Sequence, residues 1–308
     1  MKKVSVVIPA YNEEECVTEL VARLQKVFLQ EPKYIWDLLV VENGSEDLTY
    51  QALISLRNSE PRLRILKLSR NFRMDGGITA GLSHIDSDAC VIMTADLQDP
   101  PEVISQFLRK WEEGYENIYA LVNERQGISP IRRFNSVMFY RVASFLSDGL
   151  ITKNASDFRL VDRKVYESVR EMTERNRFVR GLFSWVGFKS VGVKINRPPR
   201  FAGVSNADTF KVLDLAAKGI MAHSNKPLRF ISAMGFFVSL VALASLLPFA
   251  WLWFTSGVPF AGFGTIVSLI ILGLGSQVFF TGVMSEYLGM VYEEVKKRPN
   301  FIVSEIVE

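Results

Sequence analysis

Between residues 91 and 102 the chain reads VIMTADLQDPPE: an apolar run stops at Thr94 and gives way to Asp96, Gln98, Asp99 and a pair of prolines. Carboxylate and amide oxygens gathered where an apolar strand ends are placed to hold a ligand, because open α/β sheets bind at the carboxyl ends of their strands. Two more endings of this kind come earlier. Pro9-Ala10-Tyr11-Asn12-Glu13 follows the apolar run 4–8, and Glu42-Asn43-Gly44-Ser45-Glu46-Asp47 follows 36–41. A dinucleotide-binding dehydrogenase would need a G-x-G-x-x-G turn after the first strand. None is present, and Asp75-Gly76-Gly77-Ile78-Thr79-Ala80-Gly81 has the wrong spacing and place.

The elements that must position these residues follow from periodicity. Runs at 4–8, 36–41, 63–68, 89–93 and 118–122 read as strands, and 14–28, 48–58, 77–84 and 101–113 read as the helices between them. The alternation predicts an α/β fold with a mostly parallel sheet and helices on both faces. Pro101 suits a first helical turn, where its missing amide hydrogen costs nothing. Lone His84 and His223 read as helix-end residues, neither bases nor metal ligands.

The 308 residues carry 36 Lys+Arg against 33 Asp+Glu, a balance that gives no polyanion signal and so no nucleic-acid partner. The 48% hydrophobic share is concentrated near the C-terminus, where residues 230–285 contain no Asp, Glu, Lys, Arg or His. A bilayer span needs about 20 apolar residues. The break at Thr255-Ser256-Gly257-Val258-Pro259 therefore divides a two-helix transmembrane hairpin, with spans near 230–254 and 261–285. Lys226 and Arg229 precede it and Lys296, Lys297 and Arg298 follow it, so the positive-inside rule puts both ends in the cytoplasm. Met1-Lys2-Lys3 leads into an apolar run too short for a signal peptide. Cys16 and Cys90 then read as reduced thiols.

Arg132 and Arg133 open an amphipathic stretch with Val137, Phe139, Tyr140, Val142 and Phe145, and Lys211 and Lys218 punctuate another from 209 to 224. Both read as interfacial helices, with ordinary core-facing helices as the alternative. The expected organisation is a cytoplasmic catalytic domain at 1–205, an interfacial helix at 206–228, the hairpin at 229–287 and a cytoplasmic tail at 288–308. The expected location is the inner membrane.

Several motifs in order give the chain a resemblance: PAYNEE at 9–14, ENGSED at 42–47, SRNF at 69–72, ADLQDPPE at 95–102, DFRLVDR at 157–163, RNRFVRGLFSWVGF at 175–188 and RPPRFAG at 197–203. The chain resembles, over nearly its whole length, the family 2 glycosyltransferases of the polyprenyl-phosphate type. The resemblance implies a type-A glycosyltransferase fold, a nucleotide-sugar donor and a polyprenyl-phosphate acceptor. It also implies a divalent cation, Mg²⁺ or Mn²⁺, held by oxygen ligands against the diphosphate.

Carried over residue by residue, it makes Asp96 and Gln98 metal ligands, although Thr94 stands where the family has an Asp. Pro9, Tyr11, Glu13, Glu42, Asn43 and Thr94 become the nucleotide site. Glu42-Asn43 replaces the usual Asp-Asp, and a carboxylate beside an amide suits either uracil or guanine. Arg125, Arg133, Ser136, Arg159 and Arg200 become acceptor-phosphate ligands, and Asp157 the catalytic carboxylate opposite the sugar's anomeric carbon. The alternatives are transfer to a glycerolipid hydroxyl, or a decayed site that only binds a lipid or partner. Two spans are too few for a sugar channel, so one would require a homo-oligomer.

Overall fold

β1 (Lys2–Ala10) is buried without interruption from Val4 to Ala10, and β2 (Tyr34–Glu42) from Trp36 to Glu42. Runs of that kind belong to the middle of a parallel sheet with both faces covered. The computed structural model describes residues 1–123, 154–175, 177–198 and 262–308, with isolated helical positions between 228 and 255. β3 (Leu63–Leu68), β4 (Ala89–Ile92), β5 (Asn117–Val122), β6 (Ala155–Asp162), β7 (Ser190–Ile195) and β8 (Val303–Val307) complete the sheet in the order β7-β5-β6-β4-β1-β2-β3-β8.

Side chains that alternate along β1 face two cores. Val4, Val6 and Ile8 pack with α1 (Val17–Gln30), α2 (Thr49–Arg57) and α4 (Ile104–Glu112). Val7 packs on the other face with α3 (Arg73–Ser83), α5 (Arg163–Glu171) and α6 (Val179–Trp185). α1 shows why these segments are helical: its buried Val17, Leu20, Val21, Leu24, Val27 and Phe28 fall on one stripe at intervals of three and four. Pro101 opens a short 3₁₀ turn, Pro101–Val103, ahead of α4.

The sheet is mostly parallel, and its exceptions place the site. β6 lies antiparallel between β4 and β5, pairing Ala89 with Asp162 and Ile92 with Arg159. Asp157 lies two residues beyond the last of these pairs, toward the end of β4 that leads into Thr94. A strand that arrives late in the chain thus brings its carboxylate beside the turn that follows β4.

α7 (Phe263–Lys296) is a helix of 34 residues, after which β8 returns to pair antiparallel with β3. Tyr50 and Arg64 hold β8 from the side, the first through Glu305 and the second through Glu308. Taken over the described residues, no helix is long and apolar enough to cross a membrane. The expected hairpin is therefore not seen. Most of its first half lies outside the described residues, as do both expected interfacial helices. Cys16 and Cys90 are buried and unbridged. His84 caps the end of α3 and sets its Nδ1 2.8 Å from the Ala80 carbonyl, as a helix-end residue should.

Candidate active site

The first two strand endings are sewn together. Asn12, at a φ of 55° that asparagine tolerates, accepts from the Glu46 amide at 2.9 Å while its own amide donates to Ser45 Oγ. The Glu13 amide donates to Thr49 Oγ1 at 2.8 Å, and Glu14 accepts from the Leu48 amide. Gly44 turns the chain at a φ of +71°, and a Cβ there would meet the Arg70 backbone at 2.5 Å. Tyr11 and Glu13 are half-buried beside this seam, and Pro9 is buried under it.

Glu42 and Asn43 divide between the ligand and the fold. Both are buried. Glu42 Oε1 accepts from the Ser45 amide, and its Oε2 has no hydrogen-bond partner among the described residues. An unpaired buried carboxylate oxygen at a strand end is a ready acceptor for a ligand hydrogen. Asn43 also serves the fold: its amide donates to the Arg73 carbonyl at 2.9 Å and its Oδ1 accepts from the Phe72 amide at 2.9 Å, which ties down the start of α3.

The turn after β4 is a compact polar knot. Thr94 Oγ1 lies 2.7 Å from Asp96 Oδ1 and 2.8 Å from Asp99 Oδ2. Its single hydroxyl proton thus sits between two carboxylates. The Gln98 amide also donates to Asp96 Oδ1, at 3.2 Å. Leu97 takes a left-handed φ of 57°, a conformation costing about 1 kcal/mol, and its burial in the core holds it there. Asp99 is fully buried and accepts from Arg197 at 2.8 Å. Burial pushes its carboxyl upward, against the pull of Arg197 and Thr94.

Among the described residues no cluster of three or more His, Cys, Asp or Glu is placed to hold a metal ion. The turn still fits a hard cation of the Mg²⁺ kind, which takes one or two carboxylates and completes its shell with substrate phosphate and water. Arg197 offsets the charge of Asp99, so the turn's remaining carboxylate is Asp96, with the half-buried Gln98 beside it.

Asp157 receives a bidentate fork from Arg180, with Nε at 2.9 Å from Oδ1 and Nη2 at 2.5 Å from Oδ2. Burial alone would raise its carboxyl, but Arg180, Arg159 and Arg197 together hold it below the ordinary value. Arg159 is 3% exposed, its guanidinium donates to the Ser156 and Asp157 carbonyls, and Phe183 stacks beneath it. Burial pushes it down to about 10. This arginine buttresses the Asp157 strand from within. Arg125, Arg133, Ser136 and Arg200 lie outside the described residues.

Three residues of the site escaped the reading of the sequence: Arg180, Arg197 and Asp75. Asp75 accepts from the Val179 amide at 2.9 Å and so fixes the start of α6 next to Arg180. Burial raises its carboxyl to about 6, the Val179 amide opposes this, Asp157 adds to it, and Arg180 and Arg177 offset part of it. Arg180 and Arg197 stand inside motifs already singled out, RNRFVRGLFSWVGF and RPPRFAG, whose order marked them although their partners were not evident.

Residues 5–170 match the family model described as Glycosyl transferase family 2. An uncharacterized glycosyltransferase of Synechocystis is 38% identical over 99% of this chain and 95% of its own. The bactoprenol glucosyl transferase derived from the SfII prophage of Shigella flexneri is 34% identical over 98% and 97%. Among solved structures, the glucosyl-3-phosphoglycerate synthase of Mycobacterium tuberculosis, in complex with Mn²⁺, uridine diphosphate and glucosyl-3-phosphoglycerate, aligns with a TM-score of 0.52 at 17% identity. That alignment covers 71% of this chain and 78% of the other. It establishes a shared type-A fold.

Proposed function

Since the chain belongs to glycosyl transferase family 2, with its family match and its full-length relatives in agreement, we propose that it transfers one sugar, with inversion, from a nucleoside-diphosphate sugar to a polyprenyl phosphate at the cytoplasmic face of a membrane. One observation carries the acceptor class. The 34% identity to a bactoprenol glucosyl transferase spans 98% of the chain, including the uncharged segment 230–285 as well as the sheet. Uridine diphosphate and a hexose are the favoured donor parts.

The acceptor oxygen attacks the anomeric carbon as the bond to the diphosphate breaks, and the diphosphate leaves with the electron pair. A phosphate monoester has a second pKa near ~6, so as a dianion it attacks without losing a proton. A glycerolipid hydroxyl would need a strong base. Asp157, paired with Arg180 and held below its ordinary value, is a poor one. The phosphate acceptor is therefore favoured, and the role of Asp157 is to orient it and to balance charge at the anomeric centre. Asp96 and Gln98 would hold a divalent cation, which when bound neutralises charge on the leaving diphosphate. The orphan Oε2 of Glu42 would accept from the base or ribose.

Membrane attachment belongs to this proposal. α7 exposes Ile266, Leu269, Ile270, Leu272, Leu274, Val278 and Phe279, each by more than half, and no charged residue interrupts Phe263 to Ser285. Purified protein incubated with undecaprenyl phosphate and a panel of nucleotide sugars should yield a lipid-linked sugar visible by mass spectrometry of the lipid fraction. Sugar found on a glycerolipid, or on no lipid at all, would refute the reading.

A further inference from the structure

Three arginines act on Asp157, and two of them have other partners. Arg159 is buried against backbone carbonyls. Arg197 holds the fully buried Asp99. Arg180 differs in that it and its counter-ion are both partly exposed, the two side chains by 34% and 25%. A guanidinium fork that fits a carboxylate fits two phosphate oxygens in the same way.

We propose that Arg180 is the ligand of the acceptor's phosphate and that it exchanges Asp157 for that phosphate as the acceptor arrives. The inference rests on the polyprenyl-phosphate reading above. In the resting arrangement Asp157 occupies the fork. A monoester dianion brings about twice the charge of a carboxylate to the same cation, so the exchange runs toward the phosphate. Asp157 stays beside the bound phosphate, near the end of β4 that leads into the turn that would hold the donor's diphosphate.

The mounting of Arg180 supports this role. Asp75 fixes the amide of the preceding residue, Val179. The loop ahead of α6 is tied to the far end of α7, where Glu294 accepts from the Arg175 amide and Asn300 donates to the Glu174 carbonyl. On the proposed reading α7 is the helix that leaves the bilayer. The arginine that would receive a lipid's phosphate is thus carried on a segment braced against the helix that marks where that lipid lies.

The exchange makes a prediction of unusual sign: Asp157 competes with the acceptor, so removing its charge should tighten phosphate binding even as it slows transfer. The test uses the full-length protein in lipid nanodiscs with farnesyl phosphate as probe, and with farnesol and inorganic phosphate as controls for the chain and the headgroup. Arg180→Gln should weaken farnesyl phosphate binding by about tenfold or more and leave farnesol and nucleotide binding unchanged, the loss expected for one bidentate charge-assisted pair. Arg180→Lys, which keeps the charge and guards against misfolding, should lose most of the same affinity. Asp157→Asn should bind farnesyl phosphate several-fold more tightly than the wild type.

Unchanged phosphate affinity in both Arg180 variants, or weaker binding in Asp157→Asn, would overturn the proposal. Equal competition by inorganic phosphate and farnesyl phosphate would assign the fork to free phosphate and overturn its role as a lipid-acceptor ligand. The binding arm reads the fork directly. A wild type that forms no lipid-linked sugar refutes the proposed function, and a wild type that forms it while Arg180→Gln binds normally refutes only the assignment of Arg180.

Discussion

The two carboxylates at the heart of this site, Asp96 and Asp157, are built in opposite ways. Asp96 is held by its own neighbourhood, the Thr94 hydroxyl and the Gln98 amide, both two residues away. Asp157 is held by Arg180, 23 residues on, on a helix that Asp75 fixes from 104 residues before. A locally built turn keeps its shape whenever its strand is in place. A carboxylate assembled from distant parts keeps its charge and position only while the whole arrangement holds, and the same arrangement lets its partner be taken by a ligand.

The largest expected effect tests the local turn. Asp96→Ala should lower turnover by roughly 10³-fold or more, the scale of losing a cation's charge stabilisation, with circular dichroism and melting near those of the wild type. Full activity of the wild type in the presence of a strong chelator would remove the cation from the account. Asp157→Asn should cost roughly 10²-fold in turnover, the range of a positioned acid or base, and calorimetry should find nucleotide affinity hardly changed. A variant that lost nucleotide binding instead would put Asp157 on the donor side of the pocket.

A third change measures stability. Arg197→Met should destabilise the fold by about 3 kcal/mol in chemical denaturation, because it strands the fully buried Asp99 without its cation. Asp99→Asn should cost less, since Arg197, 30% exposed, can return to water. Equal costs for the two would mean that Arg197 does not screen Asp99.

The smallest effect concerns pH. Asp75 has a folded-state carboxyl raised to about 6 from 3.8, so ionising it is harder in the folded protein than in the unfolded chain. Its stabilising contribution is full below 3.8 and is lost as pH rises through about 6. Asp75→Asn keeps an oxygen for the Val179 amide and cannot ionise. The unfolding free energy of the wild type relative to this variant should therefore fall between pH 4 and pH 7, by at most about 3 kcal/mol. A difference that stays flat or rises would show that Arg180 and Arg177 outweigh burial at this position.

The contrast between the two carboxylates also explains what the sequence could disclose. The five strands of the first half were legible because a strand buried on both faces must be apolar throughout, and the Asp96 turn because Thr94 and Gln98, which bond its carboxylate, are close in sequence. Arg197, which holds Asp99, is not close and was not legible. β6 was not read as a strand, although DFRLVDR was noticed as a motif. Periodicity reports which side chains are buried and is silent on which strands are neighbours. The burial of Arg159 was hidden for a related reason. It shares a strand face with Asp157, and α6 covers that face and buries it against Phe183. The bonds from Asn43 to Phe72 and Arg73 were not legible because they join segments that are far apart in sequence.

The position of β8 has a consequence for how the protein is made. β3 is flanked on one side by β2 and on the other by residues 303–307, which leave the ribosome only after the whole of α7. Through most of synthesis the sheet therefore carries an open edge, the kind that invites strand addition from other chains. Ile65 and Leu66 gain their partners across that edge, Val307 and Ile306, only after α7 has been made. On the proposed reading, the uncharged segment emerges before β8, so the sheet keeps this edge open during the interval in which that segment can reach the bilayer.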